Sequence, residues 1–292
     1  MKHATKIGLI AAVVLILLGA LVFAGVMAAN HWDFMSLGKP VVKDLDTRSF
    51  DVSERFENIS IRSDTADISF LPSENGKCSV VFCVPSDVQT SASVQGGMLT
   101  VEESQEKIKT GKWYEHFSLL TVGSSGITVY LPQAEYDALV IDAHTGDIDL
   151  PGAFTFNSID IAVTTGRVEL RRIDCAGDLR VKVSTGKAFL TDVSCRNLVS
   201  SGSTGDLSME NVSAAESITV ERSTGDVRLA RCDAAEIRIT TDTGDVTGTL
   251  RSEKVFLTQT DTGRVEVPQT TSGGACTITT DTGDIKISMD TE

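Results

Sequence analysis

Aromatic side chains are scarce in this sequence: Phe, Trp and Tyr make up 5% of it, so a sizeable core has to rest on Ile, Val and Leu. Basic residues are outnumbered, 26 Lys and Arg against 40 Asp and Glu. The resulting charge of −14 argues against nucleic acid and against electrostatic docking on anionic lipid. No Cys-x-x-Cys occurs, and the four histidines (His3, His31, His116 and His144) lie far apart, so no zinc-ligand spacing is present. Strong helix formers do not dominate. Thr, Ser, Val, Ile and Asp do, which favours strands and turns.

One long apolar run stands at the start. Residues 7–29 carry no charge and no proline, and at 1.5 Å per residue such a helix is about 34 Å long, enough to span a bilayer. Lys2 and Lys6 precede it and Trp32 follows it. The positive-inside rule then predicts a single-pass signal anchor with residues 1–6 in the cytoplasm and everything after Asn30 outside. A cleaved signal peptide is the rival reading, with Val26-Met27-Ala28 as its cleavage site, but the apolar core of a signal usually runs only about 7–15 residues.

Beyond a linker over 30–50, the sequence repeats itself. A Thr-Gly pair recurs with glycines at Gly146, Gly166, Gly186, Gly205, Gly225, Gly244, Gly263 and Gly283, 19 or 20 residues apart. Apolar residues alternate with polar ones on both sides, as in Ile159 and Ile161 before Gly166 and Val168 and Leu170 after it. Period-two alternation means strands with one buried face. A further apolar residue seven places after the glycine (Ile173, Val193, Val212, Cys232) supplies a return segment. One such coil cannot bury its own face, whereas stacked coils can. The predicted fold is therefore all-β: a single-stranded parallel β-helix, or β-solenoid, with coils of about 20 residues. Residues 136–292 are its repeats. Residues 51–135 hold a first coil, with Ala66 in the glycine place, and an insertion whose strands (78–84, 88–94, 98–103 and 127–131) read as an antiparallel N-terminal cap. Around Val255, Phe256 and Leu257 the alternation fits either parity, and Gly202 and Arg222 fall on nominally inward positions.

Candidate chemistry is sparse. The residue after each turn glycine forms a charged column, and Asp242, Asp261 and Asp281 recur two places before the glycine on three successive coils. Stacked carboxylates repel, and calcium between coils would relieve them; solvated turn residues are the plainer reading. Cys175 and Cys195 each sit nine residues after a turn glycine, which makes them a candidate disulfide or two small residues in a column with Ala214 and Ala234. Cys232 reads as core. His144 has Asp142 and Asp147 nearby but no nucleophile. Acidic residues at every turn dilute any claim for a glycosidase-like pair, so no catalytic residue and no cofactor is assigned. Trp113, Tyr114, His116 and Phe117 cluster in a polar stretch and form a candidate contact patch.

The apolar N-terminal segment followed by Thr-Gly-[Asp/Arg/Lys]-x repeats resembles the bacterial "putative adhesin" family of domains of unknown function, over residues 50 to 290. The resemblance implies a membrane-anchored, cell-surface β-solenoid without catalytic residues, some relatives being associated with envelope-stress systems. The expected function is thus non-enzymatic binding or display at the bacterial envelope, toward a surface glycan or protein. Two alternatives remain open: a self-assembling or envelope-stress-sensing protein, pairing through the C-terminal edge that only Ser288 to Glu292 would cover, and a glycan-active β-helix enzyme.

Overall fold

The computed structural model describes residues 45–105 and 125–290. The segments 7–29 (the membrane span), 30–44 and 106–124 (which holds Trp113, Tyr114, His116 and Phe117) lie outside the described residues. Among the described residues no helix is long and apolar enough to cross a membrane.

The described chain is built of strands: β1 (Leu45–Val52), β2 (Asn58–Ser63), β3 (Asp67–Pro72), β4 (Cys78–Pro85), β5 (Val88–Gln95), β6 (Met98–Gln105), β7 (Gly126–Leu131), β8 (Glu135–Thr145), β9 (Ile148–Pro151), β10 (Thr155–Arg171), β11 (Asp174–Cys175), β12 (Asp178–Thr204), β13 (Leu207–Thr224), β14 (Val227–Thr243), β15 (Val246–Leu250), β16 (Lys254–Thr262), β17 (Val265–Glu266), β18 (Gly274–Thr282) and β19 (Ile285–Met289). Equivalent positions of successive coils pair in parallel. Ile159 lies beside Leu139 on one side and Leu179 on the other, and Leu207 lies beside Ala188 and Val227. The inward residues of the alternation, such as Ile161, Leu170, Leu190, Val220 and Ile239, are fully buried in one aliphatic core, and the intervening residues face out. The turn glycines line up along one edge, Thr165 beside Thr145 and Thr185, and Thr224 beside Thr204 and Thr243.

That edge explains the glycine. A Cβ at Gly166 would lie 2.0 Å from the Gly146 carbonyl oxygen, and one at Gly205 only 1.7 Å from that of Gly186. The φ angles there, +153° and +124°, are also ones that residues with a Cβ rarely adopt. Ala66 opens the column. Gly146 stacks on its carbonyl, and no further turn of this kind follows on its other side among the described residues.

The ends depart from chain order. β6 and β7 have two roles: besides their antiparallel partners they pair in parallel with β2 and β3 and form a further coil outside the one that carries Ala66. The antiparallel cap consists of β5 on β6, β4 on β7 and β1 on β4. β1 also takes residues 45–50 out of the expected linker and into the sheet. At the other end β14 pairs with β18, β15 with β19, β16 with β18 and β17 with β19. The last coil of the sequence is thus wedged between the Gly244 coil and the Gly263 coil. The free C-terminal edge belongs to β16 and β17, not to the residues before Glu292. Its parity is settled as well: Lys254 is buried, Phe256 packs against the core, and Val255 and Leu257 face out.

A second corner follows the strand after each turn. Arg172, Asp192, Asn211 and Arg231 occupy left-handed backbone there, with φ of 52–56°. Gly152 stands at the same place in the preceding coil.

Candidate functional site

The charged column after the turn glycines is a hydrogen-bond ladder. Asp67 Oδ1 accepts the Asp147 N–H at 2.8 Å, and Asp147 Oδ1 accepts that of Arg167 at 2.8 Å. Asp206 serves Asp226 at 3.2 Å, Asp226 serves Asp245 at 3.1 Å, Asp245 serves Asp284 at 2.8 Å and Asp284 serves Arg264 at 2.8 Å. The run from Asp245 to Asp284 to Arg264 follows the spatial order of the coils. Each carboxylate thus satisfies a backbone donor of the next turn. Basic residues offset the charge: Lys187 on Asp206 at 3.0 Å, Arg228 on Asp226 at 2.7 Å and Arg264 on Asp284 at 3.1 Å. The Lys187 ammonium holds Asp206 below the usual carboxylate range, and the Arg264 backbone N–H and guanidinium do the same for Asp284. Like-charge repulsion is met within the fold.

The calcium candidates Asp242, Asp281 and Asp261 stand in a separate column. They fall on adjacent coils, in the order 242, 281, 261, and all three are exposed. Among the described residues no three His, Cys, Asp or Glu gather so as to hold a metal.

Like the other four cysteines, the candidate pair Cys175 and Cys195 are free thiols. Both are buried on neighbouring coils. Cys175 Sγ lies 3.6 Å from the Asn157 carbonyl and 3.5 Å from that of Asp178, and burial pushes the Cys195 thiol up to about 12. Cys232 is core, as its spacing predicted, and burial raises its thiol as well.

The inward column three places before the turn glycine turns polar toward the C-terminal end. Thr280 and Thr260 donate to the carbonyls of Gly244 and Gly283. Arg222 is 5% exposed, with its Nη2 on Ser200 Oγ at 2.8 Å and no carboxylate partner. Its Nη1 fills the space a Cβ on Gly202 would take, 1.9 Å away. Its Nε and the neighbouring Thr241 Oγ1 make no hydrogen bond. Burial lowers this guanidinium to about 10. At the N-terminal end Glu103, also buried, accepts from Ser63 Oγ at 2.9 Å and from the N–H groups of Asp64 and Thr65 at 2.8 and 3.0 Å. Among the described residues it finishes the turn column on this side.

Two concave places remain. One, of about 460 Å³, holds Ser252, Lys254 and Asp233. A serine beside a lysine is a nucleophile–base arrangement in some hydrolases. Here Lys254, 3% exposed, is paired with Asp233 at 2.6 Å, and Ser252 donates to the same oxygen at 2.6 Å. Burial raises the Asp233 carboxyl, but the Lys254 ammonium and the Ser252 hydroxyl outweigh it and hold it low. Lys254 and Ser252 are thus both engaged by the Asp233 carboxylate, which gives the pair a structural role. His144 is 73% exposed on its turn, with only Asp64 nearby at 3.8 Å.

The other is a groove of about 660 Å³ beside the N-terminal cap, between the β1–β2 connection, the β3–β4 connection and the β7–β8 corner. Its aromatic wall is Phe56, half-buried and stacked on Tyr136 (ring centroids 5.9 Å, 19° between planes), which stacks in turn on Phe156 at 5.6 Å. Tyr136 Oη donates to the Pro132 carbonyl at 2.9 Å, and burial pushes the phenol up to about 12. Glu54, Glu57, Glu135 and Lys77 line its polar part. The groove is hidden in the sequence because Phe56 and Tyr136 are 80 residues apart. Tyr136 and Phe156, one coil apart in a chain so poor in aromatics, were the available signal.

Together these features define a non-catalytic β-solenoid domain, its buried thiols protonated and its carboxylates bound into turns. The chain belongs to the Toastrack DUF4097 family, whose sequence profile matches residues 56–292. Among solved structures, a "putative adhesin" from Bacteroides fragilis is 17% identical, with a TM-score of 0.55 over 86% of this chain and 100% of that one. A second "putative adhesin", from Parabacteroides distasonis, is 12% identical, with a TM-score of 0.45 over 85% of this chain and 99% of that one. The first likeness establishes the shared fold. No curated protein matches the chain.

Proposed function

We propose that this chain is a non-enzymatic binding module of the bacterial envelope, held by its N-terminal segment as a single-pass anchor, with the β domain on the outer side. The groove at the N-terminal cap is its ligand site. One observation carries this reading: the groove combines a half-exposed aromatic face with several carboxylates and an ammonium, at a volume in the range typical of ligand pockets. An aromatic face with polar groups around it suits a sugar ring, which has one apolar face and a rim of hydroxyls. The ligand class is therefore a surface glycan, and the acidic ladder along the turns stays structural.

The test is a glycan array probed with the β domain and with its Phe56→Ala and Glu135→Gln variants. Binding to a defined glycan that falls at least tenfold in both variants, at unchanged unfolding midpoint, supports the reading. Binding to no glycan, or binding that both variants retain, refutes it.

A further inference from the structure

The two ends of the coil stack are finished differently. At the N-terminal end two strands lie at the edge, β1 on β4 and β5 on β6. Arg48 of β1 reaches over β5, donating Nη1 to the Val88 carbonyl at 2.9 Å and to Thr90 Oγ1 at 3.3 Å, and Nη2 to the Ser86 carbonyl at 3.0 Å. A guanidinium laid on edge carbonyls blocks the pairing of another strand. At the C-terminal end no guanidinium lies along the edge among the described residues, and the Thr270 hydroxyl donates to the Lys254 carbonyl at the start of β16. β16 pairs only with β18, so one side of its backbone is open. From Val255 to Thr260 it carries no charge and no proline, the two usual guards of an edge. Leu257 is 71% exposed, and Val255 and Val265 in the same coil are 44% and 42% exposed.

We propose that β16 is the docking edge for a second copy of this chain, the two strands pairing antiparallel about a two-fold axis at Phe256. The strand's own pattern supports that occupant. In an antiparallel pair, residues equidistant from the axis face each other. Val255 then lies opposite Leu257 of the second copy, which covers both exposed side chains at once. Arg251, on the bend just before the strand, and Asp261 within it stand five residues to either side of Phe256. Both are exposed, and neither forms an ion pair among the described residues. The same register brings each Arg251 toward the second copy's Asp261, so charge and apolar contact favour one alignment. For a chain of charge −14, association needs such a local match. A two-fold contact through β16 uses that edge in both copies, so the assembly closes as a dimer. This surface lies at the far end of the stack from the groove and does not depend on the glycan reading.

The experiment is cysteine cross-linking of the full chain in membranes with a short bismaleimide. Leu257→Cys is expected to give a cross-linked dimer, while the parent chain and Val140→Cys, on an exposed lateral face, give none. Adding Arg251→Glu should lower the Leu257→Cys yield at least tenfold, and adding Asp261→Arg to that variant should restore it. These side chains are exposed, so folding is not at stake. No dimer from Leu257→Cys, an equal yield from Val140→Cys, a yield indifferent to Arg251→Glu, no recovery with Asp261→Arg, or ladders larger than a dimer would each overturn the proposal.

Discussion

Gly205→Ala isolates the stacking of the turns. The added Cβ would sit 1.7 Å from the Gly186 carbonyl oxygen, and the neighbour is backbone, with no side chain to swing away. Carbon–oxygen contact begins near 3.3 Å, so the two turns must part by roughly 1.6 Å. The bond from the Ala188 N–H to the Asp206 carbonyl, now 3.1 Å, crosses that gap and would be lost, as would the ion pair of Lys187 with Asp206 at 3.0 Å. One or two backbone bonds at about 1 kcal/mol each, with about 1–3 kcal/mol for an alanine held at such a φ, give a loss of about 2–5 kcal/mol. Gly97→Ala is the control. It too has positive φ, +78°, but open space where the Cβ would go, so only the conformational cost of about 1–2 kcal/mol applies. Equilibrium urea unfolding of the β domain, followed by circular dichroism, compares them. Because each coil touches only its neighbours, a break at Gly205 should also split the transition in two. Equal losses for the two variants would refute the stacking argument.

Three further outcomes follow from the same structure. Asp206, Asp233 and Asp284 are held low in the folded state, so the unfolded chain takes up protons first. Their contribution is complete above the ordinary carboxylate value of 3.8 and is lost as pH falls through their lowered values. Urea midpoints measured from pH 5 down to pH 2 should fall, and Asp206→Asn should flatten the fall; a parallel curve counts against the ladder. Burial of Arg222 without a carboxylate partner destabilises, and Arg222→Met is expected to raise stability by about 1–2 kcal/mol once the loss of its bond to Ser200 is included; a loss in thermal unfolding would show that the cation is compensated. Arg231→Gly relieves left-handed strain at φ 52° and should gain about 0.5–1 kcal/mol by the same assay; a loss would place the residue's value in its contact with Glu210.

The recurring Thr-Gly pair and the apolar alternation around it were enough to define a coil: which residues turn, which face in, and that coils stack in parallel. Steric exclusion at the turn and burial on one face act within a coil or between neighbours, so each repeat records them again. The second corner was less visible, since Arg172 and Arg231 are not residues that usually mark left-handed backbone, and only Gly152, Asp192 and Asn211 hinted at it. The groove escaped because Phe56 and Tyr136 meet only after 80 residues of chain have folded back between them.

What the tertiary structure alone decided is the order of the coils at both ends. Similar coils present similar edges, so pairing preference alone does not say whether β18 or β16 should follow β14. The choice falls to features that occur once: Lys254 reaching Asp233, Glu103 closing the first turn, and Asp284 taking its place between Asp245 and Arg264. A repeat fixes the local rule because every copy obeys it, and leaves the sequence of copies open because the rule is the same for all.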